Sequence, residues 1–110
     1  MNIYSKILYD NEGYLMNPED WTESVSHVLA ESEGIELNTD YRIVIHYMRD
    51  YWSEHRIAPD VRHVIDFLAG EKDCSKKEAK EYLFRLFPYG YVKQACRIAG
   101  MQRPRAWSTG

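Results

Sequence analysis

Proline, glycine and helix-capping residues divide this chain into short segments, and this division constrains the fold more than any other feature. Pro18, Pro59 and Pro88 cannot lie inside an α-helix, because proline lacks a backbone N–H and its ring clashes with the preceding turn. Gly34 and Gly100 stand where a helix can end, since glycine adopts the left-handed conformation without strain. Apolar residues recur at helical spacing between these breaks. The sequence therefore predicts a mainly α fold of about five short helices.

The predicted helices have recognisable starts. They are, in order, Asn17-Pro18, Asn38-Thr39-Asp40, Pro59-Asp60, the capping-box pattern Ser75-Lys76-Lys77-Glu78, and the segment after Pro88-Tyr89-Gly90. Gly70 is expected to close the third helix. The residues expected on the buried faces are Trp21, Val25, Val28 and Leu29; Tyr41, Val44, Ile45, Met48 and Trp52; Val61, Val64, Ile65 and Leu68; Ala79, Leu83, Leu86 and Phe87; and Val92, Ala95, Cys96 and Ala99.

The two ends of the chain have different patterns. Residues 3–16 place apolar residues on either side of Asp10-Asn11-Glu12-Gly13, which predicts a β-hairpin about an Asx/Gly turn. Residues 101–110 have no periodicity and predict a flexible arm. With 110 residues the chain is expected to form one domain, over residues 1–100, followed by that arm.

Charge is unevenly distributed in a chain whose formal net charge is −3. Residues 91–110 contain Lys93, Arg97, Arg103 and Arg105 and no acidic residue. A basic end favours docking onto an acidic surface, either of a partner or of the chain's own N-terminal half, with a solvated helix end as the alternative. These cations are too few to indicate nucleic-acid binding.

The chain contains two cysteines, Cys74 and Cys96, which are too few for the disulfide framework of a small secreted domain. The N-terminus has no apolar run long enough for export, and no stretch approaches the ~20 apolar residues of a membrane span. We therefore expect a cytoplasmic protein with free thiols and no membrane association.

Cys96 is the residue whose type and position suggest covalent chemistry. A cysteine becomes nucleophilic when its thiolate is stabilised, and Lys93 and Arg97 are close to it in sequence, with Lys93 on the same face of an α-helix. Its helical neighbours are apolar, however, and taken alone they favour an inert, buried cysteine. Cys74 lies in a polar segment and is expected to be an exposed surface residue.

Other patterns that carry chemistry are absent or weak. The four histidines show no metal-ligand spacing, and the chain lacks a Gly-rich phosphate loop, a Ser/His/Asp constellation and a paired-carboxylate motif. We expect no metal and no cofactor. The break at Pro59, followed by a helix carrying Arg62 and His63, permits a helix-turn-helix DNA-binding alternative that the acidic balance disfavours.

Several stretches of the sequence resemble one family. They are Asp10-Asn11-Glu12-Gly13-Tyr14-Leu15, Trp21, Glu33-Gly34-Ile35-Glu36-Leu37, Arg49-Asp50-Tyr51-Trp52, Pro59 with Arg62, Tyr82-Leu83-Phe84-Arg85-Leu86-Phe87-Pro88, Lys93-Gln94-Ala95-Cys96 and Ile98-Ala99-Gly100. Over residues 9–104 the chain resembles the DsrC/TusE family of small sulfur-relay proteins, which includes the gamma subunit of dissimilatory sulfite reductase. The resemblance implies a small orthogonal helical bundle preceded by a hairpin.

The resemblance also identifies a departure from the family pattern. Members normally end in an arm whose nearly terminal cysteine carries sulfur, and in two-cysteine members that thiol pairs with a cysteine on the last helix. Cys96 matches the helix cysteine, but Trp107 stands at the position of the terminal cysteine. An indole cannot carry a persulfide, because sulfur exchange requires a thiolate that attacks and leaves.

The leading hypothesis is a cytoplasmic protein of sulfur trafficking, a regulatory or accessory paralogue that binds sulfurtransferases or sulfite-reductase-like enzymes through its arm. Its partner-binding residues are then Lys93, Arg97, Arg103, Arg105 and Trp107. The alternative is a sulfurtransferase that carries persulfide on Cys96, so the sequence leaves open whether the chain is an enzyme. A DNA-binding regulator is the third reading.

Overall fold

The computed structural model describes residues 7–102, so residues 3–6 of the predicted hairpin and Arg103, Arg105 and Trp107 of the predicted arm lie outside the described residues. Residues 7–102 contain four α-helices, a C-terminal π-helix and one short 3₁₀ turn. They are the 3₁₀ turn Pro18–Asp20, α1 Glu23–Ser32, α2 Thr39–His55, α3 Val61–Lys72, α4 Lys76–Leu86 and the π-helix Tyr91–Cys96. The prediction of a mainly helical fold with five helices is confirmed.

Side-chain caps fix where the four α-helices begin. The N-cap residues, each accepting a hydrogen bond from a backbone N–H of the first turn, are Thr22, Asn38, Asp60 and Ser75. At α4, Glu78 completes the predicted capping box by accepting a bond from the Ser75 N–H at 3.1 Å. The predicted α-helix start at Asn17 is wrong. Asn17 caps only the 3₁₀ turn, and the chain is extended again at Trp21 before Thr22 caps α1.

The end of α3 also differs from the prediction. Gly70 lies inside this helix rather than after it, and the helix continues to Lys72. Asp73 adopts the left-handed conformation at φ 51°, and the Cys74 N–H donates to the Ala69 carbonyl at 3.0 Å. An aspartate can adopt this conformation at moderate cost, so a glycine was not required to end the helix.

The hydrophobic core is one cluster drawn from every helix and from the loop before the first of them. Its fully buried large side chains include Leu15, Val44, Ile45, Met48, Val64, Leu68, Leu83, Phe87, Ile98 and Met101. Helix α3 packs against both α2 and α4. Val28, predicted to lie on the buried face of α1, is instead 64% exposed, because that face is formed by Val25, Ser26, Leu29 and Ala30.

The predicted hairpin over residues 3–16 is not supported. From residue 7 onward the described chain contains no β-strand, only an isolated antiparallel bridge between Tyr9 and Leu15. The Asp10 carboxylate organises the turn between them by accepting the N–H groups of Glu12 at 2.8 Å and Tyr14 at 2.9 Å. Pairing cannot extend past Leu15 for long, since Asn17 caps the 3₁₀ turn and Pro18 has no N–H to donate.

Candidate functional site

Cys96 is the last residue of the π-helix and is completely buried. Burial raises the pKa of its thiol to about 12, and a smaller hydrogen-bonding effect of Tyr91 opposes the rise. The thiol is therefore protonated at neutral pH. Because the thiolate is the nucleophile, this buried and protonated Cys96 is unreactive.

The π-helix changes which residues lie beside Cys96. An α-helix has about 3.6 residues per turn, so Lys93 was predicted to share the cysteine's face. The wider turn of a π-helix, closed by i→i+5 bonds, instead places Tyr91 over Cys96. Lys93 is exposed to solvent, whereas Tyr91 is fully buried. Sequence periodicity missed Tyr91, since no local pattern distinguishes a π-turn from an α-turn.

Arg97, the other predicted neighbour of the thiol, points its guanidinium elsewhere. Nη1 forms an ion pair with the Glu33 carboxylate, and Nε donates to the Gly13 carbonyl at 3.1 Å. Nη2 also donates to the Ser32 hydroxyl at 3.3 Å. Arg97 thus joins the last helix to the end of α1 and to the Asp10–Tyr14 turn, a role that the sequence did not indicate.

Gln94 belongs to the same polar cluster, although it is almost completely buried. Its amide nitrogen donates to Glu33 at 3.0 Å, and its amide oxygen accepts the Tyr89 N–H at 2.9 Å. A buried amide must find partners on both sides, and here it does. The result is that the turn before the π-helix is tied to the end of α1.

Side chains from the N-terminal half also bind the backbone of the C-terminal segment. The Tyr14 hydroxyl donates to the Val92 carbonyl and the Trp21 indole N–H donates to the Ile98 carbonyl, each at 2.9 Å. Arg49 donates to the Ala99 carbonyl at 3.1 Å, and its guanidinium carbon lies 4.8 Å from the Trp21 ring centroid. Trp21 and Arg49 thus satisfy carbonyl groups that the end of the last helix leaves without partners, while Tyr14 binds near its start.

The last described residues, Gly100 to Gln102, are held by specific contacts. Gly100 ends the last helix at φ 75°, as predicted, and the Met101 N–H donates to the Cys96 carbonyl at 2.9 Å. Met101 was predicted to begin the flexible arm, but it is completely buried. The Gln102 side chain then donates to the Met16 carbonyl at 2.8 Å. Gln102, the last described residue, therefore lies beside Met16.

The other candidate residues from the sequence have different surroundings from those predicted. Cys74 was predicted to be exposed but is half-buried and packs against the core at the turn between α3 and α4. Arg62, from the helix-turn-helix reading, pairs with Asp60 at 3.4 Å. Over residues 7–102, no cluster of three or more His, Cys, Asp or Glu side chains could hold a metal ion. No helix in the same part of the chain is long and apolar enough to cross a membrane.

Gly100→Ala tests whether the docking of the last helix depends on its close approach to Trp21. A Cβ atom at position 100 would lie 2.4 Å from Trp21 Cδ1, on a backbone that already has positive φ. We expect the free energy of unfolding in urea to fall by about 2–4 kcal/mol.

The matched control for this substitution is Gly70→Ala. A Cβ atom there meets nothing within 4 Å, and the residue lies inside α3. Its stability should stay unchanged or rise by up to about 1 kcal/mol. Equal effects of the two substitutions would contradict the packing described here.

Known proteins are similar to this chain in both sequence and fold. The family model described as DsrC like protein matches residues 3–106. Sulfurtransferase TusE of Escherichia coli strain K12 is 39% identical over 95 residues, which cover 86% of each chain. The oxidized gamma-subunit of the dissimilatory sulfite reductase, DsrC, from Archaeoglobus fulgidus has a TM-score of 0.79 at 33% identity, over 93% of this chain and 92% of that one. Allochromatium vinosum DsrC gives 0.75 at 41% identity, over 89% and 87%.

Proposed function

Because this chain belongs to the DsrC-like protein family of sulfur relay, we propose that it is an accessory member, one that binds sulfur-relay enzymes without carrying sulfur on its arm. Its partners are sulfurtransferases or sulfite-reductase-like enzymes, and its place of action is the cytoplasm. The relatives named TusE are sulfurtransferases, and the accessory role proposed for this chain differs from that activity.

The observation that carries the proposal is the complete burial of Cys96. A sulfur carrier must present a thiolate to its donor, and the chain has only two cysteines. One of them is completely buried with its thiol pKa raised to about 12, and the other lies half-buried at the turn between α3 and α4. The resemblance to the family implies that Trp107 stands at the position at which the arm of other members carries its reactive cysteine.

The composition of the arm supports binding. Arg103, Arg105 and Trp107 follow Gln102 in the sequence, and arginine and tryptophan are among the residues that contribute most at protein interfaces. Lys93 is exposed at the surface of the π-helix and adds a further cation. An acidic surface on the partner is the complement to this set of charges.

A carrier function for Cys96 is the second candidate. The hydrogen bond from the Met101 N–H to the Cys96 carbonyl favours this function, because it places the cysteine next to residue 101, where the predicted arm begins. This function requires the π-helix to open, because no thiol surface is exposed in the closed structure. DNA binding is not proposed, since Arg62 is engaged by Asp60 and the chain's formal net charge is −3.

Sulfur loading distinguishes the two candidates. The purified protein is incubated with a persulfide-loaded cysteine desulfurase, and its intact mass is read before and after. We expect no gain for the natural sequence and a gain of one sulfur atom for Trp107→Cys, because the substitution restores a thiol at the carrier position. Cys96→Ser and Cys74→Ser are measured in parallel. Loading of the natural sequence that only Cys96→Ser abolishes would instead establish the carrier function.

Partner binding is tested by calorimetry with a purified sulfurtransferase and a purified sulfite-reductase-like enzyme. Trp107→Ala should weaken the Kd for the true partner at least about tenfold, as expected for an aromatic anchor. Ser108→Ala, next to it on the arm, should leave the Kd unchanged. Equal affinities of the natural sequence and Trp107→Ala, or no binding to either enzyme, would contradict the proposal.

A further inference from the structure

Tyr91 and Cys96 form a buried pair inside the π-helix. Both side chains have no exposed surface. The Tyr91 hydroxyl donates a hydrogen bond to the Pro59 carbonyl at 2.5 Å, across the junction between α2 and α3. Cys96 follows Tyr91 by five residues, so one turn of the π-helix brings the two side chains together. One side chain therefore connects the cysteine-bearing helix to a loop that lies far from it in sequence.

The π-helix is what makes this pairing possible. In an α-helix, residues five positions apart project in nearly opposite directions, because the turn holds about 3.6 residues. The i→i+5 turn adds a residue and brings such positions onto one side. If the segment rewound to an α-helix, Tyr91 and Cys96 would no longer lie on one side of the helix.

The Tyr91–Pro59 hydrogen bond also opposes opening of the site. Pro59 is buried, so breaking the bond leaves a carbonyl and a hydroxyl without partners in an apolar region. Unsatisfied buried groups raise the free energy of the opened form, so the form with the Tyr91–Pro59 hydrogen bond intact is favoured. Opening must also release the turn that leads into the helix, because the Gln94 side chain accepts the Tyr89 N–H at 2.9 Å.

We propose that Tyr91 controls access to Cys96, and that the thiol reacts only when the Tyr91–Pro59 hydrogen bond breaks in a local opening of the π-helix. Tyr91 is thus a positioning residue, which acts on the cysteine rather than on a substrate. The inference goes beyond the proposed accessory function and does not depend on it. A protein that binds partners without carrying sulfur can still contain this control, and a Cys96 carrier would require it to be released.

The test is the labelling rate of Cys96 by a maleimide under native conditions. All variants carry Cys74→Ser, so that one thiol remains. Tyr91→Phe keeps the ring and removes only the hydroxyl, and we expect it to raise the labelling rate about tenfold, the effect of losing one buried hydrogen bond. Tyr89→Phe is the matched control, because Tyr89 lies in the preceding turn and is 74% exposed.

Low concentrations of urea distinguish local opening from global unfolding. For this measurement the labelled chain keeps Tyr91. If the opening is local, the labelling rate of Cys96 stays constant until global unfolding begins, because little surface is exposed. A rate that follows global unfolding from the first addition of urea would overturn the proposal. So would equal labelling rates of Tyr91→Phe and Tyr89→Phe.

Discussion

The ion pair between Arg97 and Glu33 is the contact on which the position of the C-terminal segment depends. Both side chains are only about one-fifth exposed, at 20% and 19%, so this pair is less screened by water than an ordinary surface pair. The pair is also not isolated, since Gln94 donates to the same carboxylate and the guanidinium reaches Gly13 and Ser32. A shared network of this kind fixes direction as well as distance. It holds the last helix against the end of α1 and the Asp10–Tyr14 turn, with Cys96 facing the core.

The sequence predicted features that depend on local chemistry better than those that depend on distant contacts. The capping box at Ser75 and Glu78 and the glycine end at Gly100 were predicted correctly, because each is determined within a few residues. The position of Lys93 relative to Cys96 was wrong, since it assumed an α-helical turn. Nothing local marks the segment as a π-helix; its geometry is stabilised by Tyr91 and Pro59, which are far apart in sequence.

The candidate site was predicted only in part for the same reason. Cys96 was identified from its residue type, but the side chains that determine its environment come from elsewhere in the chain. Tyr14, Trp21 and Arg49 bind carbonyl groups of the C-terminal segment and join it to the N-terminal half. The family match adds what neither spacing nor geometry supplies, the chemistry of sulfur relay. Together they describe a folded body that encloses the Cys96 thiol, in a chain whose residues 103–110 include two arginines and no acidic residue.

The proposals for this protein depend on a buried, protonated Cys96 thiol, whose ionisation can be measured directly. Following the Cβ chemical shift of Cys96 by NMR from neutral to alkaline pH reports the thiol alone. We expect no ionisation near the pKa of about 8.5 of a free cysteine, because burial raises the pKa of this thiol to about 12. Since the unfolded thiol ionises first, its contribution to folding stability should decline as the pH rises above that ordinary value. Titration of the native protein near pH 8.5 would show an open, reactive cysteine and contradict the account.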